Sequence, residues 1–218
     1  GIVLKRRDNA PIVKDIYGGI IDILMKEQNI DMAVEFLKNC LRNMIDEKYP
    51  IEKLIISKSL RSNYKNPRQI AHKVLADRMG KRDPGNKPSS GDRIPYAFIK
   101  VKNKGALQGD KIEHPDYIHD KKLQLNYAHY ISNQIMKPVQ QLLALVLEEL
   151  PGFKNRALRK LKMTRQFKIW KNDLDHLQYV KKTEDYRNKE VKELIFDSYL
   201  KETEIEKVNI MSFYKILI

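Results

Sequence analysis

Apolar residues recur at helical spacing in four segments of the chain, and this periodicity limits the fold more than any other feature. Apolar side chains return every three or four residues in the segments 11–24, 31–44, 67–79 and 125–149. Such spacing predicts amphipathic helices that each bury one face. We expect Asn9 and Asp31 to cap the first two helices. Pro138 lies inside the fourth segment and should kink it.

The segments between these helices are short and varied. Three of them have the apolar pattern of short strands, namely 1–8, 54–56 and 96–101. Two others have the composition of loops, 83–95 and 103–120. The predicted fold class is therefore α+β, mostly helical, with a few short strands.

Positive charge is concentrated in one part of the chain. The net charge is +14, from 42 Lys and Arg against 28 Asp and Glu. Residues 58–104 alone contain thirteen Lys and Arg but three aspartates, a net charge of +10, with Tyr64 and Tyr96 interleaved. A concentrated basic excess is typical of a surface that binds a polyanion, nucleic acid first and an acidic membrane second. A solubilising face is the alternative interpretation.

The sequence lacks the marks of several other protein classes. No apolar run approaches the roughly 18 residues that a membrane span needs, and no signal-peptide pattern opens the chain. The single cysteine, Cys40, excludes a disulfide scaffold and a multi-cysteine zinc site. An intracellular location is therefore expected. The P-loop, the serine-hydrolase elbow and the HExxH motif are absent.

One cluster has residue types that bind metals. His114, Asp116, His119 and Asp120 lie together in HPDYIHD. Their spacing matches no common metal site, so we expect a solvated loop there. A stand-alone metal-dependent nuclease using this cluster remains a minor alternative.

The basic segment has the parts of a phosphate-binding surface. A basic loop leads into a helix with His72 and Arg78, and a Gly/Pro loop then ends in Gly91-Asp92-Arg93. Glycines permit tight turns that bring backbone N–H groups close to an anion. Contacts of this kind position a duplex without reading its sequence.

Several motifs in this region resemble the thumb of B-family DNA polymerases of the replicative delta type. The matching pieces are RRDNAP at 6–11, ISKSL at 56–60, AHKV at 71–74, RMGKRDPG at 78–85, GDRIPY at 91–96, and Tyr130, Asn133-Gln134 and Lys137-Pro138. Their order and spacing agree over residues 1 to about 148. Asn126 and His129 depart from the family's usual Asp and Tyr.

The resemblance implies a domain division. Residues 1–150 would form the thumb domain, with 1–10 at the palm junction, and 151–218 would form a basic, helical C-terminal extension. Cellular delta-type enzymes continue into two cysteine-rich modules, which this chain lacks, so it resembles the polymerase of a large DNA virus. The palm motif DTDS and the fingers motif SLYPS do not occur. We therefore expect a fragment of a longer polymerase, or else the C-terminal part of a split one.

The resemblance also implies a role in gripping DNA rather than in bond formation. No catalytic or metal-binding residue is expected here, and the Mg²⁺ of the parent enzyme would belong to its palm. The expected contacts with duplex phosphates are Lys58, Arg61, Tyr64 and Lys65 in one patch, His72, Arg78, Arg82 and Arg93 in another with the Gly91 turn, and Arg6 and Arg7 near the palm.

The expected partners are primer–template duplex and the palm and fingers of the same polymerase, without a membrane. The enzyme would act in the nucleus or at a viral replication site. The alternative function is an interaction module whose C-terminal tail, ending in VNIMSFYKILI, docks an accessory factor such as a sliding clamp.

Overall fold

The computed structural model describes residues 2–103 and 105–203, and these divide into two compact units. The first unit contains residues 1–15 and 47–130, and the second contains 16–46 and 131–218. The α+β, mostly helical class predicted from the sequence is confirmed. The domain boundary expected at residue 150 stays a prediction, and it lies inside the second unit.

The first unit surrounds a small antiparallel sheet. Its strands are β1 (Ile56–Ser59), β2 (Arg93–Phe98) and β3 (Ile112–Glu113). Its helices are α1 (Ile2–Lys5), the start of α2 (Pro11–Asp22), α4 (Ala71–Arg82), α5 (Pro115–Lys121) and α6 (Tyr127–His129). Short 3₁₀ turns occupy Ile51–Lys53, Pro67–Gln69, Pro84–Asn86 and Gln108–Lys111.

The sheet has the order β1-β2-β3. Ser59 pairs with Arg93 and Lys58 with Ile94 across the first strand pair. Successive side chains of a strand point to opposite faces. Lys58 therefore shares a face with the buried Ile94, whereas Arg93 shares the other face with Ser59.

Tyr130 ties the centre of the first unit together. Its ring is fully buried, and its hydroxyl donates to the Leu54 carbonyl at 2.7 Å while accepting from the Phe98 N–H at 3.0 Å. His129 stacks on the Phe98 ring with centroids 3.7 Å apart. A buried hydroxyl that both donates and accepts leaves no polar atom unpaired at this point.

The second unit is helical. It contains the rest of α2, α3 (Ile30–Ile45), α7 (Met136–Ala144), α8 (Ala157–Asp173) and α9 (His176–Val191). Among the described residues, the backbone widens to π-helix at Ile23–Glu27, at Tyr130–Ile135, whose first residue belongs to the first unit, and at Lys192–Phe196, and a 3₁₀ turn covers Leu147–Glu149. Fully buried side chains in this unit include Leu37, Leu143, Phe153 and Phe196.

Several sequence expectations about local structure were wrong. Residues 2–5 are helical rather than extended. The cap of α3 is Asn29, whose side chain accepts from the Met32 N–H at 2.9 Å, and Asp31 lies in the first turn instead. The Asn9 side-chain amide donates to the Val3 carbonyl at 3.1 Å, and a cap of α2 by the Asn9 side-chain oxygen stays a prediction.

Strand positions were also shifted or missed. The strand expected at 54–56 begins at Ile56, and the one expected at 96–101 begins at Arg93. The segment 103–120 contains β3 and α5 rather than loop alone. The single long helix expected at 125–149 is divided into α6, a π segment and α7.

None of the helices in the described part of the chain combines the length and the apolar character needed to cross a bilayer.

Candidate nucleic-acid interface

All eleven residues predicted to contact DNA belong to the first unit. The structure distributes them among four local settings, a basic cluster at the end of β1, an ion-pair group on α4, an arginine on the β1–β2 face, and the segment after α1. Each setting has its own chemistry.

The basic cluster consists of Lys58, Arg61, Tyr64 and His72. The Tyr64 hydroxyl accepts from the Arg61 N–H at 2.8 Å and lies 3.1 Å from His72 Nε2. The Tyr64 and His72 rings meet edge to face with centroids 5.9 Å apart. This contact folds the loop after β1 back onto the start of α4, so residues eight apart in sequence share one surface.

The charge state of His72 reflects its neighbours. Partial burial lowers the pKa of His72, and the positive charges of Lys58 and Arg61 lower it further, against a contact with the Ser59 backbone that raises it. A lowered pKa favours the neutral imidazole, so the cluster's positive charge comes from Lys58 and Arg61. Lys65 is exposed on the same loop. Of the patch predicted at 58–65, the structure brings Lys58, Arg61 and Tyr64 close to His72, and a contact of these residues with DNA stays a prediction.

Arg78 and Arg82 have a different setting, because both pair with Glu113. Arg82 donates to Glu113 Oε1 at 2.8 Å and to Oε2 at 3.1 Å, and Arg78 Nε lies 2.9 Å from Oε1. The His114 N–H donates to the same carboxylate. Glu113 is only 4% exposed, so its charge is compensated inside the unit.

Further contacts hold these two arginines in place. Arg78 donates to the carbonyls of Ile112 at 2.7 Å and Gly109 at 3.1 Å. The Arg82 guanidinium lies 3.5 Å from the centre of the Tyr117 ring. Hydrogen bonding to Glu113 raises the pKa of Arg82. Both arginines therefore fasten α4 to the segment 109–117, and a contact of either with DNA stays a prediction.

Arg93 lies on the sheet face opposite Lys58 and pairs with serines. Its Nε donates to Ser57 Oγ at 2.9 Å and its Nη1 to Ser59 Oγ at 3.1 Å. Its Nη2 donates to the Ser57 carbonyl. Within the described residues, Arg93 has no carboxylate partner.

The chain makes a tight turn before Arg93, as expected from the glycine at position 91. Gly91 has φ +95°, a conformation that glycine adopts without strain. Its N–H donates to the Leu60 carbonyl, and Asp92 Oδ2 accepts from both the N–H and the hydroxyl of Ser89. Asp92 is thus a turn residue.

The second predicted patch is consequently not one cluster. His72 joins the basic cluster, Arg78 and Arg82 share Glu113, and Arg93 binds Ser57 and Ser59. Nothing in the residue types of the motif distinguishes an arginine bound to a buried carboxylate from one facing solvent.

Arg6 and Arg7 follow α1. Arg6 forms a two-pronged pair with Asp8, with distances of 2.9 and 2.8 Å. This pair lowers the pKa of Asp8, and Lys58 lowers it slightly more. Arg7 is exposed. A contact of these two residues with DNA near the palm junction stays a prediction.

The cluster at 114–120 has a local structural role. His114 caps α5 and its Nδ1 accepts from the Asp116 N–H at 3.2 Å, while His119 is 91% exposed. Over residues 2–103 and 105–203, no group of three or more His, Cys, Asp or Glu side chains is arranged to hold a metal ion.

Sequence reasoning missed Glu113 and the two serines. Glu113 lies in a two-residue strand inside a polar stretch, where no periodic signal exists. Ser57 and Ser59 stand at alternate positions of ISKSL, and this alternation was the available sign that they share a face.

Comparison with known proteins agrees with the motif resemblance. The sequence profile of DNA polymerase family B matches residues 1–146. The DNA polymerase of Pyramimonas orientalis virus is 50% identical over 205 residues, which cover 92% of this chain and 17% of that protein.

Two further relatives match a shorter part of the chain. The DNA polymerase of Acanthamoeba polyphaga mimivirus is 53% identical over 153 residues, 68% of this chain and 9% of that protein. The DNA polymerase delta catalytic subunit of Caenorhabditis elegans is 36% identical over 149 residues, 67% of this chain and 14% of that protein.

Among solved structures, the family B DNA polymerase from the hyperthermophilic archaeon Pyrobaculum calidifontis aligns with 60% of this chain and 17% of that chain. The TM-score is 0.48 at 18% identity, a likeness too loose to support an argument. The chain spans 17% or less of the length of the curated relatives named above. On the profile match and these identities, the chain belongs to DNA polymerase family B, in the delta-like group that includes polymerases of large DNA viruses.

Proposed function

We propose that this chain is the thumb portion of a replicative B-family DNA polymerase and that it holds primer–template duplex by the phosphate backbone. The observation that carries the proposal is the basic cluster, where Lys58 and Arg61 flank a neutral His72. Neither cation forms an ion pair with a carboxylate among the described residues, although the charge of Lys58 acts on Asp8. Cations that no carboxylate contacts directly are the ones that can neutralise phosphates and release counterions.

In this proposal the chain supplies grip, and nucleotide polymerisation takes place elsewhere in the enzyme. The palm and fingers would carry the catalytic residues, and the palm would hold Mg²⁺. Support comes from the family membership and from relatives that are named DNA polymerases. Docking of a sliding clamp by the tail, residues 154–218, stays a prediction, and the end of that tail, 204–218, lies outside the described residues.

The proposed setting is intracellular DNA replication, in the nucleus or at a viral replication site. Viral polymerases and eukaryotic delta catalytic subunits among the relatives support this setting.

A salt titration of duplex binding tests the proposed grip. The variant K58A/R61A/K65A, which removes both cations of the cluster and the exposed Lys65 of the same loop, should bind a labelled duplex more weakly than the unmodified chain. Its log–log salt slope should be shallower by up to about 2.7, because each lost phosphate contact removes about 0.9. Fluorescence anisotropy at several salt concentrations measures both quantities.

The control variant K121A/K181A/K201A removes the same charge from three exposed lysines outside the cluster. Its slope should stay close to that of the unmodified chain. Equal losses in the two variants would mean that net charge, rather than the cluster, carries binding. A slope of zero for the unmodified chain would rule out the phosphate grip.

A further inference from the structure

The group formed by Arg93, Ser57 and Ser59 has donors left over for an outside ligand. Arg93 uses three of its N–H groups on the two serines. A guanidinium has five N–H donors, so two remain. The group lies on one face of the β1–β2 pair and is exposed at Ser59 and Arg93.

Each serine hydroxyl is also left with a hydrogen to donate. Both oxygens accept from Arg93, and neither hydroxyl donates to another residue in the described part of the chain. A hydroxyl that accepts one bond can still donate its own. The two serines are two positions apart on a strand, a separation of about 6.6 Å.

The charges around the group favour an anion. Asp92, the neighbouring carboxylate in the chain, has an oxygen committed to the Ser89 N–H and hydroxyl. Glu113, which pairs with Ala97 further along β2, is bound by Arg78 and Arg82. Hydroxyl and guanidinium donors around an uncompensated positive charge suit a phosphodiester.

We propose, on the basis of the duplex grip proposed above, that Arg93, Ser57 and Ser59 form a seat for backbone phosphate of the bound DNA, separate from the basic cluster. The serine hydroxyls donate to phosphate oxygens directly, and Arg93 supplies the charge. Pleat alternation puts this seat and Lys58 on opposite faces of the sheet. The hydroxyls carry no charge, so they add affinity without adding to counterion release.

Duplex titrations of the full chain separate direct donation from mere positioning of Arg93. The variant S57A/S59A should bind roughly tenfold more weakly with an unchanged salt slope, since two donors to a charged group are lost but no cation. The variant R93A should lose about 0.9 from the slope. The triple variant R93A/S57A/S59A should bind more weakly than R93A.

Two matched variants control for the fold and for serine removal in general. S57T/S59T keeps both hydroxyls in a strand and should bind like the unmodified chain. S62A/S90A removes two exposed serines that lie outside the seat and should also leave affinity unchanged.

The decisive comparison is between the triple variant and R93A. Equal affinity for these two would overturn the seat, because the serines would then act only through Arg93 or not at all. If the unmodified chain shows no salt dependence, the duplex grip itself fails. If the unmodified chain binds duplex in a salt-dependent way but R93A and the triple variant have equal affinity, the seat is refuted and the duplex grip is not.

Discussion

At the scale of single residues, Glu113 is the group on which the first unit's electrostatics depend most. Its carboxylate is buried and is approached by Arg78, Arg82 and the His114 N–H. A buried charge is tolerated only when partners of this kind surround it. The shared carboxylate also offsets the repulsion between Arg78 and Arg82, which lie one helical turn apart on α4.

Removing the Glu113 carboxylate should destabilise the chain substantially. We expect E113A to lower the free energy of unfolding by about 2–4 kcal/mol, since two partly buried arginines lose their shared partner. Urea unfolding of E113A, R82A and the double variant measures the coupling, and the two losses should not add.

The exposed pair of Glu149 and Lys154, 3.3 Å apart, provides a control. E149A should cost less than about 1 kcal/mol because surface pairs contribute little. Additive losses in the Glu113–Arg82 cycle would contradict the shared-carboxylate interpretation.

His129 gives the fold a pH dependence of its own. Burial lowers the pKa of His129 to about 4, and the charge of Lys111 lowers it in the same direction. The unfolded chain has an ordinary pKa near 6.5 and so takes up a proton first as the pH falls. Stability from the neutral ring is fully present above about pH 6.5 and is lost as the pH falls toward 4.

The variant H129F should lose part of this pH dependence, because the ring stacked on Phe98 can no longer titrate. Urea midpoints between pH 7.5 and 5 measure the effect, and H119Q, at an exposed histidine, serves as the control. The pKa of His72 is lowered as well, so some dependence of the same sign should persist. An H129F curve parallel to that of the unmodified chain would refute the assignment.

At the scale of secondary-structure elements, the amphipathic pattern predicted helices correctly where the apolar spacing is regular and no other contact decides the backbone conformation. The helices near 11–22 and 30–45 appear where apolar spacing is regular. The pattern over 125–149 is as regular, yet the backbone there widens to π-helix before Pro138. Pro138 then lies in the first turn of α7, directly after the π segment, so its missing N–H falls next to the point where the helix changes its hydrogen-bond pattern. The β3 and α5 elements depend on Glu113 pairing and on the His114 cap, which have no periodic signal.

The packing of α4 against the 108–111 turn depends on a glycine. A Cβ at Gly109 would lie 2.6 Å from Val74 Cγ1, and the branched valine has little freedom to move. We expect G109A to lower stability by about 1–3 kcal/mol through overpacking. Thermal or urea unfolding measures this loss, and V74A in the same chain should recover part of it.

Gly105 is the control for this substitution, since the tightest contact of its Cβ would be the Asn103 side chain at 3.4 Å. G105A should change stability little. A G109A chain as stable as G105A would show that the turn can shift away from α4.

At the scale of the whole molecule, the charge distribution predicts a polyanion-binding surface in the first unit but does not show which cations there already have a carboxylate partner. The basic segment and all eleven expected contacts lie in the first unit. Composition cannot show that Arg78 and Arg82 already have a carboxylate, because Glu113 is 31 residues or more away in sequence. The proximity of Lys58, Arg61 and His72 could be expected, because their motifs lie close together in the chain.

Binding by backbone contacts should be indifferent to base sequence. Duplexes of equal length but different sequence should compete equally for the chain at a fixed salt concentration, because phosphate contacts carry no sequence information. Competition anisotropy with several unrelated duplexes measures this. A marked preference for one sequence would point to groove contacts that the proposed grip does not include.

A close contact between Gly80 and Lys87 fixes the first part of the Gly/Pro loop against α4. A Cβ at Gly80 would lie 2.6 Å from Lys87 Cγ, so the aliphatic stem of Lys87 rests where a side chain on α4 would otherwise be. This contact joins the two ends of the stretch 80–87, so a change in the number of residues between them would break it. Insertions and deletions in related chains should therefore be selected against between Gly80 and Lys87.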